Sequence, residues 1–272
     1  MKPAARSIDN AVCPVHTSST STLEPLGRLS VFINGVPAVR LGDQVDCPIR
    51  ERDVVAEGAS MVRMQGLPIS AVSHRAAHPA KIASGSADVN IGGPTFALPA
   101  NVGIGGPAEF RNKAIRDLWF FSQTPTGKET LARLEQTGQP VMIYPQTAGK
   151  VSETHLNPAG KLPTGSIIFY DPDGRWAVST PDGKVTTAPP QTVLAHELIH
   201  ATRIGEGKTL PDDRHEEATV RGDGAFYRDE TITENTLRDD LGLDRREGAE
   251  QEPLEAQRGP VSGPEDLRPG GY

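Results

Sequence analysis

Three stretches in the first third of this 272-residue chain are written on one plan. Gly27-Arg28-Leu29-Ser30-Val31-Phe32-Ile33-Asn34-Gly35 resembles Gly58-Ala59-Ser60-Met61-Val62-Arg63-Met64-Gln65-Gly66, and both resemble Gly85-Ser86-Ala87-Asp88-Val89-Asn90-Ile91-Gly92-Gly93. Each reads as a short strand with alternating apolar positions between turn-forming glycines. A second block keeps the same beat: Pro3-Ala4-Ala5-Arg6, Pro37-Ala38-Val39-Arg40 and, more weakly, Pro68-Ile69-Ser70-Ala71. Self-similarity of this kind confines the fold to repeated units packed on one another. Counted from each proline, Cys13, Cys47 and His78 hold the same position. If three hairpins close around a pseudo-threefold axis, those side chains converge at one end of it. A fourth ligand would complete a tetrahedral zinc site. His16, in Cys13-Pro14-Val15-His16, is the best candidate, with His74 in reserve. The third repeat departs from the others, with Val72-Ser73-His74 where they have Ile8-Asp9 and Gly42-Asp43.

The literal Pro-Ala-Ala-Arg at 3–6, the repeated strands and the Cys/His positions resemble the PAAR-repeat proteins. That resemblance covers residues 1–95. It implies an all-β cone of three repeated hairpins that caps the trimeric VgrG spike of a type VI secretion system and binds one structural zinc near its apex, here through Cys13, His16, Cys47 and His78.

Composition narrows the class further. The net charge of −7 argues against nucleic acid as a partner. No apolar run nears the 18 residues of a membrane span. The N-terminus lacks the apolar core of a secretory signal, so export would need another machine. With two cysteines and no such signal, metal ligation is a better reading than a disulfide.

The second constellation is His196-Glu197-Leu198-Ile199-His200. On a helix, residues i and i+4 share a face, so both imidazoles reach one zinc while Glu197 lies beside the water-bearing position. Pro189-Pro190 suits a helix start, and the run from Gln191 meets no glycine or proline until Gly205. A catalytic zinc needs a third protein ligand. The candidates are Glu217, which is preferred, its neighbour Glu216, and Glu206 near the helix end. His215 reads as a surface residue, and Tyr227 is the nearest candidate for an oxyanion donor.

Around the motif, 96–114 is dense in Gly and Pro and reads as a linker. Helices are expected over 114–121 and 125–136, with a strand over 140–144. Ser166–Tyr170 and Arg175–Ser179, flanking Asp171-Pro172-Asp173-Gly174, read as a hairpin. Residues 232–243 read as a helix capped by Thr233 and ended by Gly242. His-Glu-Leu-Ile-His-Ala, Glu-Glu-Ala-Thr-Val and Ile-Thr-Glu-Asn with Arg238 together resemble the NleC-like zinc metallopeptidase domains of bacterial effectors, over 115–246. The resemblance implies an α+β zincin-like domain whose edge strand can hold an extended peptide. Glu234, Asn235 and Arg238 read as residues behind the metal ligands or against substrate, or as a solvated face. The acidic stretch 247–272 reads as a disordered tail.

The expectation is a multidomain type VI effector: cytoplasmic before loading, secreted without a signal peptide, and active in the target cell. Zinc held by His196, His200 and Glu217 would hydrolyse a peptide bond, with Glu197 as the base. Partners would be VgrG, a protein substrate and a cognate immunity protein. The rival readings are a structural tip or adaptor with a non-catalytic zinc, and a zinc amidase acting on peptidoglycan.

Overall fold

The computed structural model describes residues 1–15, 20–26, 30–46, 53–77, 80–147, 150, 152–156, 165–208, 212–222, 231–248 and 252–253. Two compact units emerge, one strand-rich and N-terminal, the other mixed α/β. The first comprises Met1–Leu98 with Gly106–Trp119, and the second Pro99–Gly105 with the chain from Phe120.

The strands of the first unit are short: β1 (Lys2–Pro3), β2 (Asn10–Val12), β3 (Thr20–Glu24), β4 (Phe32–Ile33), β5 (Val36–Pro37), β6 (Gln44–Asp46), β7 (Asp53–Val54), β8 (Glu57–Met64), β9 (Leu67–Ile69), β10 (Lys81–Ile82), β11 (Asn90–Ile91) and β12 (Thr95–Ala97). All their pairings are antiparallel, in the orders β10-β2-β3-β6-β7, β12-β8-β9, β1-β11 and β4-β5. Asn34-Gly35 and Gln65-Gly66 turn β4 into β5 and β8 into β9. All four residues have positive φ, as a type I′ turn demands.

The sequence beat becomes hydrogen bonding. Ala5 donates its N–H to Ser70 O (2.9 Å), Ser70 to Val39 O (2.8 Å) and Val39 to Ala5 O (3.0 Å), closing a three-membered ring. A second ring runs the other way, from Ser7 to Pro37 O, Leu41 to Pro68 O and Val72 to Pro3 O. Equivalent side chains then meet in shared core clusters. Ile33, Met64 and Ile91 pack with Ala4, Ala38 and Ile69, while Ala11, Val45 and Ala76 pack with Ala5, Val39 and Cys13. Cys13 is fully buried; His16, Cys47 and His78 lie outside the described residues.

The odd third repeat has a local explanation. In the first two, the aspartate three residues on accepts the arginine's own N–H: Arg6 N to Asp9 Oδ2 (2.8 Å) and Arg40 N to Asp43 Oδ2 (2.9 Å). The guanidinium of each arginine also pairs with its aspartate. The third repeat has Ala71 where the arginine would be, so a buried carboxylate would lack its cation. His74 stands there instead, accepting the Ala71 N–H on Nδ1 at 3.2 Å as a neutral imidazole. Its position thus belongs to the turn, which is a structural reason not to count it among the zinc ligands.

Residues 96–114 are not a spacer. Thr95–Ala97 extends the sheet as β12, β13 (Val102–Ile104) pairs in the second unit, and α1 (Ala108–Phe121) begins at Ala108. Several glycines here serve close approach rather than flexibility: a Cβ at Gly105 would come within 2.3 Å of the Tyr144 ring. On the first unit, α1 lays Ile115 against Gly42, and Trp119 donates to Gly66 O at 3.0 Å beside Phe96 and Arg63.

In the second unit, α2 (Pro125–Thr137) is capped by Thr124 and stopped by Gly138 at φ +63°. Its main sheet runs β13-β14-β16-β15, with β14 (Val141–Pro145), β15 (Glu153–Leu156) and β16 (Ser166–Tyr170). The first three strands are parallel, and β15 runs antiparallel at the edge. The expected hairpin after β16 does not form, because β14 and β15 already occupy both edges of that strand. Asp171–Gly174 does turn the chain, but β17 (Trp176–Ser179) joins another sheet. There it pairs with β18 (Val185–Ala188) across the Pro181-Asp182-Gly183-Lys184 turn, and with β19 (Glu252–Pro253). The pairing of β19 shows order within the stretch read as a tail; most of 247–272 lies outside the described residues.

Three helices complete this unit: α3 (Pro190–Gly205), α4 (Asp212–Arg221) and α5 (Glu234–Asp240). Helix α3 packs against β15, β16, α2, α4 and α5, and Gln191–Arg203 is buried on every face. A helix enclosed on all sides carries charges only where partners await them. No helix among the described residues is long and apolar enough to cross a membrane.

The turn reading of His74 predicts a graded series. His74→Asn keeps a neutral acceptor for the Ala71 N–H and retains most of the stability. His74→Ala strands that buried donor and costs about 1–3 kcal/mol in urea unfolding. Burial holds the His74 imidazolium below its ordinary value of 6.5, so the unfolded chain binds the extra proton first. The first unit should therefore lose stability as pH falls below about 6.5, and His74→Asn should flatten that slope.

Candidate metal centre

His196 and His200 sit one turn apart on α3 with their Nε2 atoms 3.0 Å apart. Glu216 of α4 meets both, Oε2 to His196 Nε2 at 3.1 Å and Oε1 to His200 Nε2 at 3.1 Å. Among the described residues, these form the one group of three side chains whose ligand atoms lie within 4.8 Å of one another.

The other face of each imidazole is already committed. His196 Nδ1 lies 3.0 Å from Glu234 Oε2, and a carboxylate there can only accept. His200 Nδ1 lies 3.3 Å from Thr219 Oγ1, whose own proton goes to His215 O at 2.9 Å. Both histidines thus carry hydrogen on Nδ1, so Nε2 is the atom each would offer to a metal, while without one His196 keeps a second proton on Nε2 for Glu216. Two imidazole nitrogens and one carboxylate, spaced as ligands around a cation with bonds of about 2.0–2.1 Å, suit zinc well. They leave a fourth position for water.

The carboxylate that stands with the two histidines is that of Glu216, the alternative to the preferred Glu217. Glu217 is half-exposed and pairs with Arg221 one turn on, along the outer face of α4. Glu216 shares the inner face with Thr219 and Val220, which follow at i+3 and i+4. The Glu217–Arg221 spacing was the sequence signal that marked the solvent side. Glu206 is also engaged elsewhere, holding Arg133 of α2 through two bonds of 2.8 Å.

Glu197 is buried beside the trio, where Thr154 of edge strand β15 donates to its Oε2 at 2.7 Å. Burial, more than any other influence, lifts its carboxyl to about 7. For His196 burial acts downward, but Glu216 and Glu234 outweigh it and raise the group to about 9. For His200 burial dominates and pulls it to about 4. Glu216 stays well below the usual carboxylate range because the two histidines outweigh its own burial.

His215 is no surface residue: its ring stands edge-on to His200 at 4.6 Å, and burial holds it neutral, near 4. Tyr227 lies outside the described residues. Glu234 is the residue that sequence placed only loosely. It opens α5 behind the Thr233 cap, buried beneath His196, with Arg238 bound to its Oε1 at 2.9 Å.

Comparison with protein families finds two matches. Residues 1–48 and 26–100 match the PAAR motif. Residues 100–230 match a peptidase family described as "Effector protein". No curated protein is matched by the chain. The chain thus carries a PAAR motif at its N-terminus and an effector peptidase-family domain over residues 100–230, the arrangement of a PAAR protein fused to an NleC-like effector.

Proposed function

We propose that the protein is a type VI secretion effector whose second unit is a zinc metallopeptidase. The observation that carries this reading is the convergence of His196 Nε2, His200 Nε2 and Glu216 beside a buried Glu197. In that site zinc, when bound, polarises the scissile carbonyl and lowers the pKa of its water toward neutrality. Glu197 takes the water's proton and delivers it to the departing amine. Thr154 fixes the carboxylate from one side, so proton transfer needs no search by the side chain.

Substrate binding follows from the same strand. Among the described residues β15 has a strand neighbour on one side only. An extended peptide added along its other edge would run past Thr154 and hence past Glu197. A protein substrate in the target cell fits this zincin-like geometry.

The first unit would be the delivery module, a cone of three repeats, as its two hydrogen-bonded rings suggest. Phe32, Met61 and Val89 lie exposed on or beside the strands that place Ile33, Met64 and Ile91 in the core. They offer an apolar surface for the VgrG spike. A second zinc, on Cys13, His16, Cys47 and His78, would close the opposite end. A cognate immunity protein would protect the producing cell.

Metal analysis of purified protein should give about two zinc per chain, and the three-ligand site should yield its ion to chelators first. Glu216→Ala should weaken zinc at that site by at least about a hundredfold, whereas Glu217→Ala leaves it unchanged. A zinc titration of both variants decides between the two glutamates. Glu197→Gln should keep both ions and lower peptide cleavage by about 10²–10⁴-fold. Full cleavage by that variant would remove Glu197 from the reaction, and zinc-loaded unsubstituted protein that cleaves no peptide would remove the enzyme reading and leave a structural tip with a bound metal.

A further inference from the structure

Residues 244–247 lie beyond the stretch that matches the effector family, yet they reach the metal centre. Arg246 is 2% exposed and donates from Nη1 to Glu234 Oε2 at 2.7 Å. That oxygen is the one facing His196 Nδ1. The backbone of Arg246 is clamped by Asn235, whose Oδ1 accepts its N–H at 2.7 Å and whose Nδ2 donates to its C=O at 2.8 Å. Arg238 Nη1 donates to Asp244 O at 3.0 Å, and Glu247 N donates to Ser179 O at 2.9 Å. The segment is therefore a strap, tied to α5 at two residues and to β17 at one.

Charge balance does not explain the strap. Glu234 already has a fully buried guanidinium in Arg238, one turn along its own helix and bound to the other oxygen. A second buried cation is costly to desolvate and needs its own reason. Its placement supplies one. With Oε1 held by Arg238 and Oε2 by Arg246, the carboxylate plane has no freedom to rotate. The direction of the His196 Nδ1–H bond is then fixed, and with it the aim of Nε2 at Glu216 and His200.

We propose that Arg246, delivered by the 244–247 strap, is a positioning residue for the metal centre, acting through Glu234 on His196. The site is complete only when the strap is docked, so a chain cut before Asp244 holds its catalytic metal weakly. This rests on the metallopeptidase reading only to the extent that His196 binds a metal.

The test is the zinc affinity of the full-length protein, measured by competition with a chromophoric chelator. The ion that disappears in His200→Ala defines the site. Arg246→Met is expected to weaken that ion about ten- to a hundredfold, as loss of a residue behind a ligand does. Asn235→Ala, which frees the strap while keeping both charged side chains, should weaken it in the same direction and serves should Arg246→Met misfold. Arg133→Met breaks a part-exposed ion pair with Glu206 away from the ligands, so it should lower stability and leave zinc affinity unchanged. Unchanged affinity in Arg246→Met and Asn235→Ala would overturn the proposal and leave the metallopeptidase reading standing. An equal loss in Arg133→Met would reduce the strap to general stability. Zinc content unaffected by His200→Ala would overturn both.

Discussion

Two imidazoles on one helix face hold a shared cation firmly when each has its second nitrogen held from behind. Here Glu234 and Thr219 do that holding, and the rest of the second unit is arranged to keep them in place. Thr219 accepts from Arg203 at 2.8 Å while donating to His215 O, so every hydrogen-bonding capacity of its hydroxyl is used. Glu234 is bracketed by Arg238 and Arg246. These partners are nearly all buried, which makes each bond strong and each omission costly. A helix as enclosed as α3 would be a poor host for two histidines and a glutamate without them.

The first unit depends on a different constraint. Its strands are too short to build a core as ordinary sheets, with most between two and five residues long. Closure of three equivalent segments through backbone rings replaces sheet width, and stacked layers of small and branched side chains fill the interior. The third segment has Ala71 in place of the arginine and His74 in place of the aspartate, so a neutral hydrogen bond stands where the others have an ion pair. The same turn is thus closed by two different side-chain chemistries.

Features governed by local spacing were legible in the sequence. The i, i+4 histidines, the Thr233 and Gly242 helix ends and the succession of a strand-rich and a mixed α/β region all follow from short-range patterns. Features set by competition between distant segments were not. Asp171–Gly174 has the chemistry of a hairpin turn, but β14 had already taken the strand edge that a hairpin needs. The glycines of 103–105 look like a linker until the side chains of Met142 and Tyr144 are seen filling the space above them. Choosing Glu216 over Glu217 required the phase of α4 against α3, which the Glu217–Arg221 pair encodes but residue type alone does not. Arg246 stands fifty residues from His196, and no pattern at that range names it.

Zinc-edge anomalous diffraction from crystals of the full-length protein tests the central claim most directly. The account predicts an anomalous peak bound by His196 Nε2, His200 Nε2 and a Glu216 carboxylate oxygen, with Glu234 and Thr219 on the far ring nitrogens. A peak ligated by Glu217 or Glu206, or zinc confined to the cysteine-bearing unit with His196 and His200 bare, would contradict it.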